Sequence, residues 1–219
     1  MTLNIKDYLN LSSLAYGDFS KNAKDVKIGD IIDNKLYANN LKIDNPGLSA
    51  LKDSSNPLRS YKLISFQPNT ASGFAAVAFQ APDKKDKNGN VTEKGEIIFS
   101  FRGTELSRDG GVDVKADVGV FMRDAYGTLS DHFDDARKFV YSVLNNPAYA
   151  NRNYSFTGHS LGGAIASYMT YVTNTDSMSG VGKATTFDAP GISGVIEKKH
   201  KVKVNPRDYD NLVIDYVSE

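Results

Sequence analysis

The sequence predicts an α/β architecture, a mixed and mostly parallel sheet with helices on both faces, and three observations lead to it. A hairpin of apolar runs, "YKLISFQ" (61–67) and "GFAAVAFQ" (73–80), precedes a third run, "IIFSFR" (97–102). Downstream the pattern alternates: helix-period "SDHFDDARKFVYSVLNN", strand-like "YSFTG", helix-like "LGGAIASYMTYVT", then strands "KATTFD" (183–188) and "NLVIDYV" (211–217). Parallel strands need crossover connections, usually helical, so this alternation implies a sheet sandwiched between helices. The length of 219 residues suits one large domain, 1–219, with 1–58 as an N-terminal helix and loops and 59–219 as the core.

Each element has its own signal. Ile5, Tyr8, Leu9, Ser12 and Ala15–Tyr16 fall on one face at helical spacing, with Asn4 as the cap. Residues 20–58 are rich in Lys, Asp, Asn and Gly, contain Pro46 and Pro57, and read as loops with short structured pieces. Pro68, Asn69 and Gly73 mark the turn between the first two strands, and "APDKKDKNGNVTEKGE" is a solvated, charged hairpin tip. After Arg102 comes a long irregular segment, and loops of that length in compact domains are usually functional or mobile. Ser130 then caps a helix whose apolar face is Phe133, Ala136, Val140, Val143 and Leu144, and Pro147 stops it.

Composition excludes several classes. Lys plus Arg and Asp plus Glu both number 26, so no global field recruits nucleic acid or an anionic membrane. Without cysteine there are no disulfides, thiol chemistry or Cys-based zinc sites. No H-E-x-x-H metal motif occurs, and neither cofactor nor metal is expected. The N-terminus carries Lys6, Asp7 and Asp18 without an uninterrupted apolar stretch, unlike a Sec-type signal peptide. The longest apolar run, "FAAVAF" (74–79), is far too short to span a bilayer.

The chemistry concentrates at "NYSFTGHSLGGAIASYMTYV" (153–172). Gly158-His159-Ser160-Leu161-Gly162 matches G-x-S-x-G, and an apolar strand enters it while a helix leaves it. That strand–turn–helix context is what a nucleophile elbow requires. Helix onset aims the Leu161 N–H and the positive dipole end at an oxyanion forming above Ser160. A second donor should come from the end of a neighbouring strand, and "IIFSFRGTE" supplies one. The other reading is a phosphate-binding or packing turn, against which stand the missing Walker-type lysine and the wrong glycine spacing for a dinucleotide site.

"FRGT", "GHSLGG" and "ATTFDAPG", in that order, resemble the class 3 lipase family of α/β-hydrolases, over roughly residues 60–219. The resemblance implies Ser160 as nucleophile, with Thr104 and Leu161 giving backbone N–H groups to the oxyanion hole. Asp188 stands where many relatives have glycine and takes no catalytic role. The resemblance also implies a lid, for which residues 105–128 are placed. Their apolar stretch "VGVFM" (118–122) suits either lipid contact or packed core. The opening "MTLNIKDYLNLSSLAYGDF" is more loosely similar to lipase modules of bacterial toxins exported by type VII systems. That similarity implies secretion without a Sec signal, as against a cytoplasmic location, and an immunity protein as partner.

A serine nucleophile needs a base and an orienting acid. The histidines are His132, His159 and His200. His159 occupies the x position of the elbow, with its side chain directed away from the serine hydroxyl and into packing. His200 lies in the basic "EKKHKVKV", a solvated stretch, and His132 opens a helix at the active-site edge. Asp215 lies within the last strand, whereas the resemblance places the catalytic Asp after it. The expectation is a lipase or phospholipase-type ester hydrolase, acting on lipid acyl esters with transient membrane-surface contact. Its acid and base would lie beyond Glu219. The alternative is a catalytically incomplete or pseudoenzyme module that binds rather than hydrolyses.

Overall fold

The computed structural model describes residues 3–39, 41, 46–103, 126–176, 178 and 180–218. Its centre is a six-stranded sheet: β1 (Lys62–Gln67), β2 (Ala76–Gln80), β3 (Ile97–Phe101), β4 (Tyr154–His159), β5 (Lys183–Phe187) and β6 (Val213–Tyr216). The strands lie side by side in chain order; β1, β2 and β3 pair antiparallel, and β3 to β6 pair parallel. The helices are α1 (Ile5–Leu14), α2 (Ile28–Asp33), α3 (Tyr126–Leu144), α4 (Leu161–Thr175) and α5 (Ser193–His200). The charged tip folds into a small ribbon, Lys84–Lys85 against Val91–Glu93. No helix among the described residues is long and apolar enough to cross a membrane.

The strand order explains the layering. Parallel crossovers are right-handed, so a sheet that grows steadily in one direction puts all its crossover helices on one face. Accordingly α3, α4 and α5 share one core with Phe99, Phe101 and Phe156, the ring of Phe156 touching both of the others. Phe74 and Phe139 extend this aromatic layer. The other face, with Leu63, Val77, Phe79 and Ile98, would be bare without the N-terminal segment. There Leu11 and Leu14 of α1 pack with Ile28 and Ile31 of α2 and with Leu51 and Leu58. Residues 20–58 therefore supply half of the second core, which their polar composition concealed.

Two details differ from expectation. α1 begins at Asn4 with a capping box to Asp7, but its buried side is Asn10, Leu11, Ser12 and Leu14, while Ile5 and Leu9 are exposed. The rotation follows from hydrogen bonding, because the sheet meets this helix with hydroxyls. Ser100 Oγ donates to the Leu11 carbonyl (2.9 Å), Thr157 Oγ1 to the Tyr8 carbonyl (3.3 Å), and the Tyr8 hydroxyl reaches Ser155 Oγ (3.4 Å). α3 starts at Tyr126, so Ser130 is an internal helical residue and not its cap; nothing in "YGTL" forbids helix, since one glycine costs only about 1 kcal/mol.

The start of β3 is tied by Arg152, whose guanidinium holds Asp83 through both nitrogens and also donates to the Gly95 carbonyl (3.0 Å). This pairing draws the Asp83 carboxyl down to about 2. Next to it, burial pushes the Glu96 carboxyl up, opposed by a hydrogen bond with Ser155. The signs of the two groups are opposite. Asp83 contributes stability above the ordinary carboxylate pKa and loses it as pH falls toward 2. Glu96 binds its proton more tightly when folded, so its contribution falls as pH rises above the carboxylate range. Glu96→Gln should raise the melting temperature at pH 7 and leave it nearly unchanged near pH 4. Arg152→Ala should cost about 2 kcal/mol at pH 7, measured by urea unfolding.

Candidate active site

Ser160 stands between β4 and α4 with φ 54° and ψ −124°, a backbone conformation that few non-glycine residues adopt. Its N–H donates to the Phe187 carbonyl of β5 (2.9 Å), and its carbonyl accepts the Ala164 N–H (3.1 Å), which starts the helix. The residue is half-buried at the C-terminal edge of the parallel strands, where its side chain leaves the turn. The motif's prediction of a strand-to-helix junction at this serine holds.

The glycines around it are required by contact. A Cβ at Gly162 would lie 2.1 Å from the Phe101 carbonyl oxygen, and one at Gly158 would lie 2.3 Å from the Gly162 carbonyl carbon. At Gly163 it would meet Ala189 Cβ at 2.6 Å. Helix α4 thus begins directly on the ends of β3 and β5. Its first residue is Leu161, whose side chain is buried and whose N–H, being in the first turn, has no intrahelical acceptor. The helix start therefore offers a donor and a positive dipole end at the edge that holds Ser160.

Thr104 lies outside the described residues, as do residues 105–125 of the expected lid with "VGVFM"; residues 126–128 form the start of α3. Gly103 is described and is informative. A Cβ there would sit 2.6 Å from both the His159 carbonyl oxygen and the Tyr16 hydroxyl, and the Gly103 N–H donates to that hydroxyl (3.1 Å). The residue before Thr104 thus abuts the residue before Ser160. In the sequence Tyr16 belongs to the α1 face, and its position just past that helix gives no sign that it holds the end of β3.

The histidines are distributed differently. His159 is exposed, not packed, and its Nε2 lies 3.8 Å from Asp188 Oδ2. Asp188, itself at φ 49°, accepts from the Ser218 N–H (2.8 Å) and hydroxyl. His200 is half-buried rather than free in solvent: its Nε2 is 3.1 Å from the Tyr168 hydroxyl and its ring packs on Tyr168 and Tyr171. Burial and then the Lys199 charge lower its pKa. His132 packs toward Gly73, and its buried Nδ1 has no hydrogen-bond partner among the described residues. None of the three is hydrogen-bonded to Ser160 among the described residues. Asp215 accepts from the Thr186 hydroxyl (2.7 Å) and the Ala189 N–H (3.2 Å), so it pairs with its neighbours in the sheet. Among the described residues no three metal-ligating side chains come together.

The strained turn makes a distinctive prediction. Ser160→Gly should be more stable than Ser160→Ala by about 1 kcal/mol, because glycine relieves the positive φ and alanine does not. Gly162→Ala should fail to fold or melt far lower, whereas Gly191→Ala, in open space, should melt within a few degrees of the parent. Thermal unfolding followed by circular dichroism checks all four.

The phospholipase-like family described as the Tle-like phospholipase domain matches residues 31–217. A search of curated proteins finds no match. Among solved structures, M37 lipase is similar at 12% identity and TM-score 0.52, over 99% of this chain and 68% of that one. Lip2 lipase from Yarrowia lipolytica shares 15% identity at TM-score 0.44, over 97% of this chain and 69% of that one. The M37 likeness supports an α/β-hydrolase-type fold, and the chain spans about two thirds of the lipase it overlays. With the family match covering most of its length, the chain belongs to the Tle-like phospholipase domain family, a lipase/phospholipase-type ester hydrolase.

Proposed function

We propose that Ser160 is the nucleophile of this hydrolase and that its substrates are acyl esters of glycerolipids, phospholipids first among them. The observation that carries the reading is the elbow itself: a strained serine on a turn closed by glycines, under the first N–H of a helix. Ser160 Oγ attacks the acyl carbonyl carbon, its proton passes to a base, and the carbonyl electrons move onto oxygen. Collapse breaks the ester C–O bond, the alcohol leaves with the proton, and acyl-Ser160 remains for water to hydrolyse. The Leu161 N–H donates to the oxyanion, and Thr104 supplies the second donor. The placement of Gly103 against His159 supports this role for Thr104.

The base in this scheme comes from outside the described residues. A second reading, a binding module that keeps the elbow as scaffold, is favoured by the lack of any histidine bonded to Ser160. A lipid substrate entails transient contact with a membrane surface. A toxin role would add export without a Sec leader and an immunity partner covering the Ser160 edge.

A fluorophosphonate probe separates the two readings. Labelling that disappears in Ser160→Ala supports the hydrolase; equal labelling of both proteins removes Ser160 from the mechanism, and no labelling of a parent protein that carries the base favours the module. In protein that hydrolyses a short-chain ester, Leu161→Pro deletes one oxyanion donor and should lower kcat by about a hundred- to thousandfold. Proline is tolerated at the first helical position, but the Leu161 side chain is buried, so circular dichroism must show a folded variant before its kcat is compared. His200→Asn should leave kcat unchanged, because His200 belongs to the tyrosine cluster.

A further inference from the structure

A cavity of about 320 Å³ lies beside α4, beneath the loop that follows β5. It sits at the low end of the range for ligand pockets. One wall is aromatic: Tyr171 and Tyr209, with ring centroids 5.7 Å apart. The Thr175 hydroxyl near it donates to the Tyr171 carbonyl (2.8 Å), and Tyr209 contributes its ring to the wall. Two carboxylates, Asp210 and Asp215, also line the cavity, while no lysine or arginine does. Asp215 is held by neutral donors on Oδ1, and neither carboxylate forms an ion pair among the described residues. The remaining lining is mainly small and aliphatic, with Ile196 and Val213 among it.

A cavity with negative charge, aromatic faces and aliphatic walls suits a cation that is itself apolar outside. A primary ammonium would need several acceptors arranged around it; a quaternary ammonium needs only charge, rings and room for methyl groups. We propose that this cavity binds the trimethylammonium group of a choline phospholipid, a proposal that rests on the phospholipid reading above. Its position fits. Ser167 and Tyr171, on its wall, lie about two and about three turns along α4 from Ser160, about 10 and about 16 Å along the axis, so the cavity begins within a headgroup's length of the elbow. Ala189, also on the wall, is the residue that Gly163 makes room for. The headgroup would therefore be gripped while the ester reaches the elbow.

The test uses the Ser160→Ala chain titrated with choline chloride and with phosphocholine, followed through the tyrosine ring NMR signals. Saturable shifts of Tyr171 and Tyr209 are expected, with ethanolamine binding at least tenfold more weakly. Tyr209→Phe should keep choline binding, whereas Tyr209→Leu and Asp215→Asn should each weaken it about tenfold. Should Asp215→Asn unfold through loss of its Thr186 bond, the Tyr209 pair still decides. No saturable shift, equal response to choline, ethanolamine and sodium, or unchanged binding in Tyr209→Leu would each overturn the proposal. Fluorophosphonate labelling of a parent protein that carries the base judges the catalytic reading separately. Labelling without choline binding removes only the headgroup site, and choline binding without labelling leaves that site and removes the hydrolase.

Discussion

At the head of α4 main chain touches main chain, because the carbonyl oxygen of Phe101 occupies the place where residue 162 would carry a Cβ. Protein interiors are packed too tightly for a methyl group to be absorbed at such a point. The same contact lets the helix axis meet the strand ends and forces the chain through a tight reversal. That reversal leaves Ser160 at a positive φ with its side chain at the sheet edge. It also brings the first N–H of the helix to the same place. Nucleophile placement and oxyanion donation are thus two results of one close approach.

The two faces of the sheet solve different problems. On the crossover side the phenylalanine layer buries area without polar atoms, and dispersion and ring contacts suffice. On the other side Ser100, Ser155 and Thr157 are buried hydroxyls, and each would cost about 1–3 kcal/mol if left without a partner. α1 meets that need with the Leu11 and Tyr8 carbonyls and the Tyr8 hydroxyl. Leu11, which takes the Ser100 proton, belongs to its last turn, where helix carbonyls have no N–H four residues on. The helix end and the sheet therefore satisfy each other.

Much of this was legible in the sequence where the local pattern and the final contact coincide. The elbow could be read because Gly158, Ser160 and Gly162 lie within five residues and their contacts are largely with one another and the adjoining strand. The strands could be read from apolar runs, and the parallel order from the helices between them. The buried side of α1 could not, because hydroxyls on strands far along the chain set it, and Ile5 and Leu9 looked the more apolar choice. The role of Tyr16 at Gly103 and the packing of His200 on Tyr168 are likewise long-range contacts. His200 in "EKKHKVKV" carries every local mark of a solvated residue, and only the fold turns it toward α4.

The hydroxyl seam between α1 and the sheet has a bearing on how the chain comes together in time. Its bonds join residues 89, 147 and 149 positions apart. Closing loops of that span is slow compared with forming a helix or a hairpin, and it cannot be completed until β4 has emerged from the ribosome. During synthesis α1 is made before the strands it docks on and waits, capped at Asn4 but without its docking surface. In that interval Leu11 and Leu14, buried in the finished fold, are still exposed to solvent. A helix made before the sheet is thus fastened only after most of the sheet exists.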